Sequence, residues 1–146
     1  MPLFRRPDGA IVRDVAPVRR IMPYLMPTRN ESVVYHENVL DLTRTTPWLQ
    51  AFNAARPDRN KATLFHLFLW ACARALHERP GLNRFVSNGR IYQRKGVFLS
   101  FAAKRGFRDD APLTTIKKEF PKGETFEECV ERLHAGIREG RGDKPR

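Results

Sequence analysis

The sequence predicts an α/β fold with about one domain's length of chain, and three observations predict it. A helix from about Thr63 to about Glu78 opens on an apolar run from Thr63 to Ala73, an Asn-Gly turn joins two short β-rich stretches directly after it, and a capping box opens a last amphipathic helix. Helix and strand signals therefore alternate along the chain. From Thr63 to Ala73 there is no formal charge, so this helix, apolar nearly all round, is expected inside a core. It is too short for a membrane span, which needs roughly 20 apolar residues. Thr63 is placed to cap it, and Pro80-Gly81 cannot continue it. Arg84-Phe85-Val86 and Arg90-Ile91-Tyr92 flank Ser87-Asn88-Gly89, and Asn-Gly supplies the positive φ angles of a tight hairpin.

Met1 to Ala16, with Pro2, Pro7 and Gly9 among charges, reads as an N-terminal arm with one short strand at Ala10 to Arg13. In Pro17 to Met26, Val18, Ile21, Met22 and Leu25 recur at helical spacing, and Pro17 starts a helix that Pro23 shortens or breaks. Glu31 to Asp41 has the β-branched and aromatic content of a strand, with Val33, Tyr35, Glu37 and Val39 on one face and Val34, His36, Asn38 and Leu40 on the other. Both faces are mixed, which suits a strand covered on both sides and lining a polar cavity in part. Leu42 to Arg56 reads as an amphipathic helix ended by Pro57, and Asp58 to Lys61 as a basic loop. Gly96 to Ala103 is a nearly continuous apolar strand, expected to be buried on both faces. Lys104 to Pro112 is a charged connection and Leu113 to Lys118 a further strand. Thr125 and Glu128 form the capping box, Phe126, Val130, Leu133 and Ile137 give the last helix its apolar face, and Gly140 ends it. The organisation expected is an arm over 1–16, a domain over 17–140 and a polar tail over 141–146.

The balance of 27 Lys+Arg against 16 Asp+Glu gives a net charge of +11. The excess is spread in pairs such as Arg19-Arg20 and Lys117-Lys118, without a block of five. Such a field attracts a polyphosphate, an acidic carrier domain or nucleic acid, and charge does not choose among them. Cys72 and Cys129 lie far apart in helical patterns and read as reduced thiols in packing positions. No metal-ligand spacing, Gly-rich phosphate loop or secretory signal occurs, and cytoplasmic residence is expected. Of four dispersed histidines, His66 reads as a hydrogen-bonded core residue and His77 and His134 as solvated. His36 reads as a satisfied half-buried side chain or as part of a site.

The order of elements carries a resemblance. Val18-Arg19-Arg20-Ile21-Met22 in the opening helix, Val39-Leu40-Asp41-Leu42-Thr43 from strand into helix, Thr63-Leu64-Phe65 through Ala73-Arg74-Ala75-Leu76 in the core helix, Arg79-Pro80-Gly81-Leu82-Asn83 before the hairpin and Glu124-Thr125-Phe126 at the last helix are similar, in order and spacing, to one family. Over Pro17 to about Gly140 the chain resembles the first half of the catalytic domain of the dihydrolipoamide acyltransferases of 2-oxo acid dehydrogenase complexes, and of chloramphenicol acetyltransferase.

The resemblance implies a two-layer sandwich, a mixed sheet with helices on one face, incomplete in this chain, and assembly as a trimer or with a complete acyltransferase. It implies acyl transfer between coenzyme A and a thiol or hydroxyl acceptor, with coenzyme A as substrate, no metal and an acidic carrier domain as a further partner. The family's general base stands in an H-x-x-x-D-G motif, and a later hydroxyl stabilises the oxyanion. Both belong to the second half, so no catalytic residue is identified here; His134 to Gly140 has the wrong spacing to stand in for the motif. Arg19 matches the arginine that holds the motif's aspartate, or is an exposed helix arginine. Tyr35 and His36 are expected to line the substrate channel. The expected function is an acyltransferase of this type, inactive as this chain alone. The alternatives are a catalytically silent oligomerisation module and a non-specific nucleic-acid binder, the latter disfavoured because Tyr92 between Arg90 and Arg94 is the nearest approach to an aromatic-basic surface. No membrane partner is expected.

Overall fold

The computed structural model describes residues 6–104, 109 and 113–141; the expected charged connection at Lys104 to Pro112 and the polar tail lie largely outside them. The chain divides into two compact units, Met1–Leu40 with Glu78–Lys95 and Asp41–His77 with Gly96–Arg146.

In the first unit, β1 (Gly9–Ile11), β2 (Arg84–Ser87) and β3 (Arg90–Arg94) form an antiparallel sheet in the order β1-β3-β2. The arm thus contributes a strand, one residue earlier than its composition suggests. Asn88 at φ 53° and Gly89 at φ 68° make the two-residue turn that the Asn-Gly pair predicts. The turn sets the register, pairing Phe85 with Tyr92, and their rings stack 5.4 Å apart. The guanidinium groups of Arg6 and Arg94 lie over the Phe85 ring at 5.2 and 4.7 Å.

Helix α1 (Pro17–Leu25) begins at Pro17, whose missing N–H costs nothing in a first turn, and holds Pro23 in its last turn. The helix is short rather than broken. Its apolar residues Val18, Ile21 and Leu25 are exposed.

The strand expected over Glu31 to Asp41 does not form. Thr28 and Glu31 close a turn on each other, with the Thr28 N–H and hydroxyl both donating to the Glu31 carboxylate at 2.9 Å. Residues 33–42 then run without regular structure and are exposed, Tyr35 at 94 % and Val39 at 91 %. A strand's hydrogen bonds all go to another strand, and none among the described residues pairs with this one.

In the second unit, α2 (Thr45–Asn53), α3 (Leu64–Glu78) and α4 (Phe126–Arg141) accompany the antiparallel pair β4 (Phe98–Lys104) and β5 (Leu113–Glu119). Leu69 and Ala73 of α3, Cys129 and Leu133 of α4, Val97 and Phe120 form one buried cluster, against which Leu99 and Phe101 of β4 pack. This is the two-layer α/β arrangement, helices on one face of the strands. A second cluster joins Leu49, Ala62, Phe126 and Val130, ringed by Phe52, Leu67 and Trp70. The Trp70 indole donates to the Glu124 carbonyl at 3.0 Å.

Two burial expectations are corrected. β4 alternates, with Leu99 and Phe101 turned inward and Phe98 and Ser100 outward, because helices cover one face only. Helix α3 buries His66, Leu69 and Ala73, while Leu64, Phe65 and Phe68 on its other side stay exposed. The capping box forms as expected: the Thr125 N–H donates to Glu128 at 2.9 Å and the Glu128 N–H to the Thr125 hydroxyl at 3.3 Å. Gly140 does not stop α4, which continues to Arg141. No described helix is long and apolar enough to cross a membrane.

Candidate functional site

The first unit carries a cleft of about 1140 Å³ between α1 with its following turn and the β2–β3 hairpin. Four arginines line it, Arg19 from α1, Arg29 from the turn, Arg84 from the start of β2 and Arg94 from the end of β3, and among the described residues no Asp or Glu does. Met22, Met26 and Ile91 give it an apolar wall. At the hairpin end the backbone comes close to Tyr24: a Cβ at Gly89 would sit 2.9 Å from the Tyr24 hydroxyl oxygen.

The neighbouring arginines Arg19 and Arg20 are indistinguishable by composition, and the fold separates them. Arg20 donates through Nε to the Val15 carbonyl and through Nη2 to the Arg13 carbonyl, both at 2.9 Å, which fastens α1 to the segment before it. Arg19 lines the cleft, and its side chain makes no hydrogen bond or ion pair among the described residues. A cation without a partner, in a cleft without a carboxylate, is placed to receive an anion. Two acids of the first unit are held by other groups. Asp8 takes both Nε and Nη2 of Arg6, at 2.8 and 2.9 Å, and that pairing holds its carboxyl below the ordinary range. Glu31 is held by Thr28.

Tyr35 and His36 stand on the exposed irregular segment and are not among the residues that line this cleft. Sequence reasoning named Arg19 and missed Arg29, Arg84 and Arg94, whose convergence depends on the hairpin folding back to α1. The only signal of it in the sequence is the basic excess itself.

The histidines of the second unit are structural. His66 is 5 % exposed, and its Nδ1 accepts the Thr63 N–H at 3.2 Å and lies 2.8 Å from the Thr63 hydroxyl. It thus plays at the third helical position the part that Glu plays in a capping box. Its ring packs 4.8 Å from that of His134, and burial first, then His134, lowers its pKa to about 4. His77 and His134, expected to be solvated, instead donate from Nε2 to the carbonyls of Phe120 at 2.7 Å and Lys61 at 3.1 Å. Each ties a helix to a neighbouring loop. Both cysteines are free, and burial, followed by Glu124, raises the Cys129 thiol to about 11, so it is an inert packing group. Among the described residues no group of three or more His, Cys, Asp or Glu could hold a metal ion.

Comparison with known proteins gives the site its context. No curated protein and no solved structure matches the chain. One family model does, that of the 2-oxoacid dehydrogenases acyltransferase (catalytic domain), over residues 11–106. The matched stretch begins at the last residue of β1 and takes in α1, the arginine-lined cleft, α2, α3, the hairpin and β4. With about two thirds of its length covered by that model, the chain belongs to the 2-oxoacid dehydrogenase acyltransferase catalytic-domain family.

Proposed function

We propose that the chain serves acyl transfer between coenzyme A and a thiol or hydroxyl acceptor, supplying scaffold and a positioning arginine rather than the base. In this reaction a base takes the acceptor's proton and the acceptor sulfur or oxygen attacks the thioester carbonyl. The oxyanion collapses, and the coenzyme A thiolate leaves and is reprotonated. The observation that carries the reading is Arg19, unpaired in a carboxylate-free cleft inside the stretch that matches the family. Its role is to hold the aspartate of an H-x-x-x-D-G segment, fixing the loop that bears the base. The 146 residues contain no H-x-x-x-D-G. Tyr35 and His36 are channel-lining candidates once the exposed segment is covered, and a trimer or a mixed assembly with a complete acyltransferase is the state in which that occurs.

The chain alone should transfer no acetyl group from acetyl-coenzyme A to dihydrolipoamide above background. Mixed with a complete acyltransferase of the family, it should enter a mixed assembly, seen by native mass spectrometry, and Arg19→Gln should weaken that entry. Turnover by the isolated chain would show that a base lies within it and refute the scaffold reading. A second reading, a catalytically silent interaction module, is favoured by the exposed Val34, Tyr35, Val39 and Leu40. It predicts the same assembly with no effect of Arg19→Gln.

A further inference from the structure

Ser87 ends β2 immediately before the Asn88-Gly89 turn, half-buried, and is not among the residues that line the cleft. Its hydroxyl oxygen accepts from Nη1 of Arg6 at 2.8 Å. The same guanidinium gives Nε and Nη2 to Asp8 and lies over the Phe85 and Tyr92 rings at 5.2 and 5.7 Å, so its place is set from three sides. Arg90 stands directly opposite Ser87 in the ladder, and Arg84 stands three residues before it in the same strand. β2 is an edge strand, and its outer side pairs with no other strand among the described residues. It already has the extended form in which an enzyme's groove takes a peptide.

We propose that Ser87 is a phosphorylation site for a protein kinase that selects arginine at the third position before its acceptor, and that Arg6 is the built-in receptor for the phosphate. In the transfer the Ser87 oxygen attacks the γ-phosphorus of kinase-bound ATP and an O–P bond forms. The bond from that phosphorus to the bridging oxygen breaks, ADP leaves with the electron pair, and the kinase's base takes the hydroxyl proton. The product places about two negative charges and three acceptor oxygens where Arg6 already presents a donor. Asp8 keeps Nε and Nη2 of Arg6, and Arg94 also acts on Asp8, which offsets the repulsion between that carboxylate and the phosphate. Because Arg6 leads into β1, the modification fastens the N-terminal arm to the hairpin. Arginine at the third place before a serine occurs once more, at Arg29 and Ser32, and the fold sets the two apart. The Ser32 hydroxyl donates to the Arg29 carbonyl at 3.0 Å and has no guanidinium on it among the described residues.

The intact chain is incubated with a serine kinase of this selectivity and magnesium ATP, and the product is mapped by fragmentation mass spectrometry. Phosphate on Ser87 is expected, and Arg84→Gln should slow its incorporation about tenfold or more. In the phosphorylated chain, hydrogen exchange across Gly9–Ile11 should be about tenfold slower than in the unmodified one, the scale of one charge-assisted hydrogen bond. Arg6→Gln should still be phosphorylated and should lose that slowing. Phosphate on Ser32 alone, or no incorporation into the folded chain, would overturn the site. Unchanged exchange after phosphorylation, or a slowing that survives Arg6→Gln, would overturn the role given to Arg6.

Discussion

His66 shows how much of this fold hangs on single polar side chains. Folded, its ring titrates near 4 against an ordinary 6.5, because burial and the adjoining His134 disfavour the cation. A base with a depressed folded pKa contributes stability that is complete above about pH 6.5 and drains away as the pH falls towards about 4. Between about pH 7 and pH 5 this amounts to about 2 kcal/mol. Urea unfolding at the two pH values should show that loss in the parent, and His66→Gln, which keeps an acceptor for Thr63 but does not titrate, should reduce it. A pH dependence unchanged by the substitution would place the acid sensitivity elsewhere. Asn53 is the second such residue. It donates to the Ala62 carbonyl and accepts from the Ala62 N–H, both at 2.8 Å, and Ala62 is buried. Asn53→Ala leaves both backbone groups without partners, so a loss of about 2–3 kcal/mol is expected in denaturant unfolding. Arg19 and Arg20 make the same point for function: adjacent and chemically identical, they are told apart only by the Val15 and Arg13 carbonyls that claim one of them.

At the scale of elements, those with local closure were legible. The Thr125–Glu128 box and the Asn88-Gly89 turn satisfy their hydrogen bonds and dihedral preferences within four residues, and both stand where their sequence signals place them. Thr125→Ala should lower stability by about 1 kcal/mol, read as a shift in the urea midpoint with no change in slope. Gly89→Val should act on the first unit. It forces a β-branched residue to positive φ and brings its Cβ against Tyr24, a cost of about 1–3 kcal/mol. Hydrogen exchange should then quicken across Arg84–Arg94, and unaltered protection there would refute the role given to the turn. Residues 31–41 are the counter-example. Their β-branched and aromatic content is a strand's, yet composition supplies no partner, and the segment is irregular and exposed. The all-round apolar character of α3 misled in the same way, since nothing in the second unit covers Phe68, which is 59 % exposed.

For the whole molecule, family membership spans both units, and the uncovered apolar side chains are distributed along it, from Ile21 and Leu25 through Val34, Tyr35 and Val39 to Phe68. Val33, Val34, Tyr35, Val39 and Leu40 are all exposed within one short segment, and an apolar stretch concentrated in this way marks an interaction surface. Sedimentation velocity at moderate salt should therefore show species heavier than the 16.9 kDa chain, and Tyr35→Ser with Val39→Ser should shift the distribution toward monomer. A single 16.9 kDa species at all concentrations would contradict the assembly on which the acyl-transfer proposal relies. By itself the sequence determined the family, the α/β class, the two longer helices and the hairpin, because helices, tight turns and motif order are written over a few neighbouring residues. Only the tertiary structure decided which face of β4 and α3 is covered, that the segment after α1 has no ladder, and that Arg19, Arg29, Arg84 and Arg94 meet in one cleft. Those outcomes join residues dozens of positions apart, and no local pattern specifies which distant group arrives.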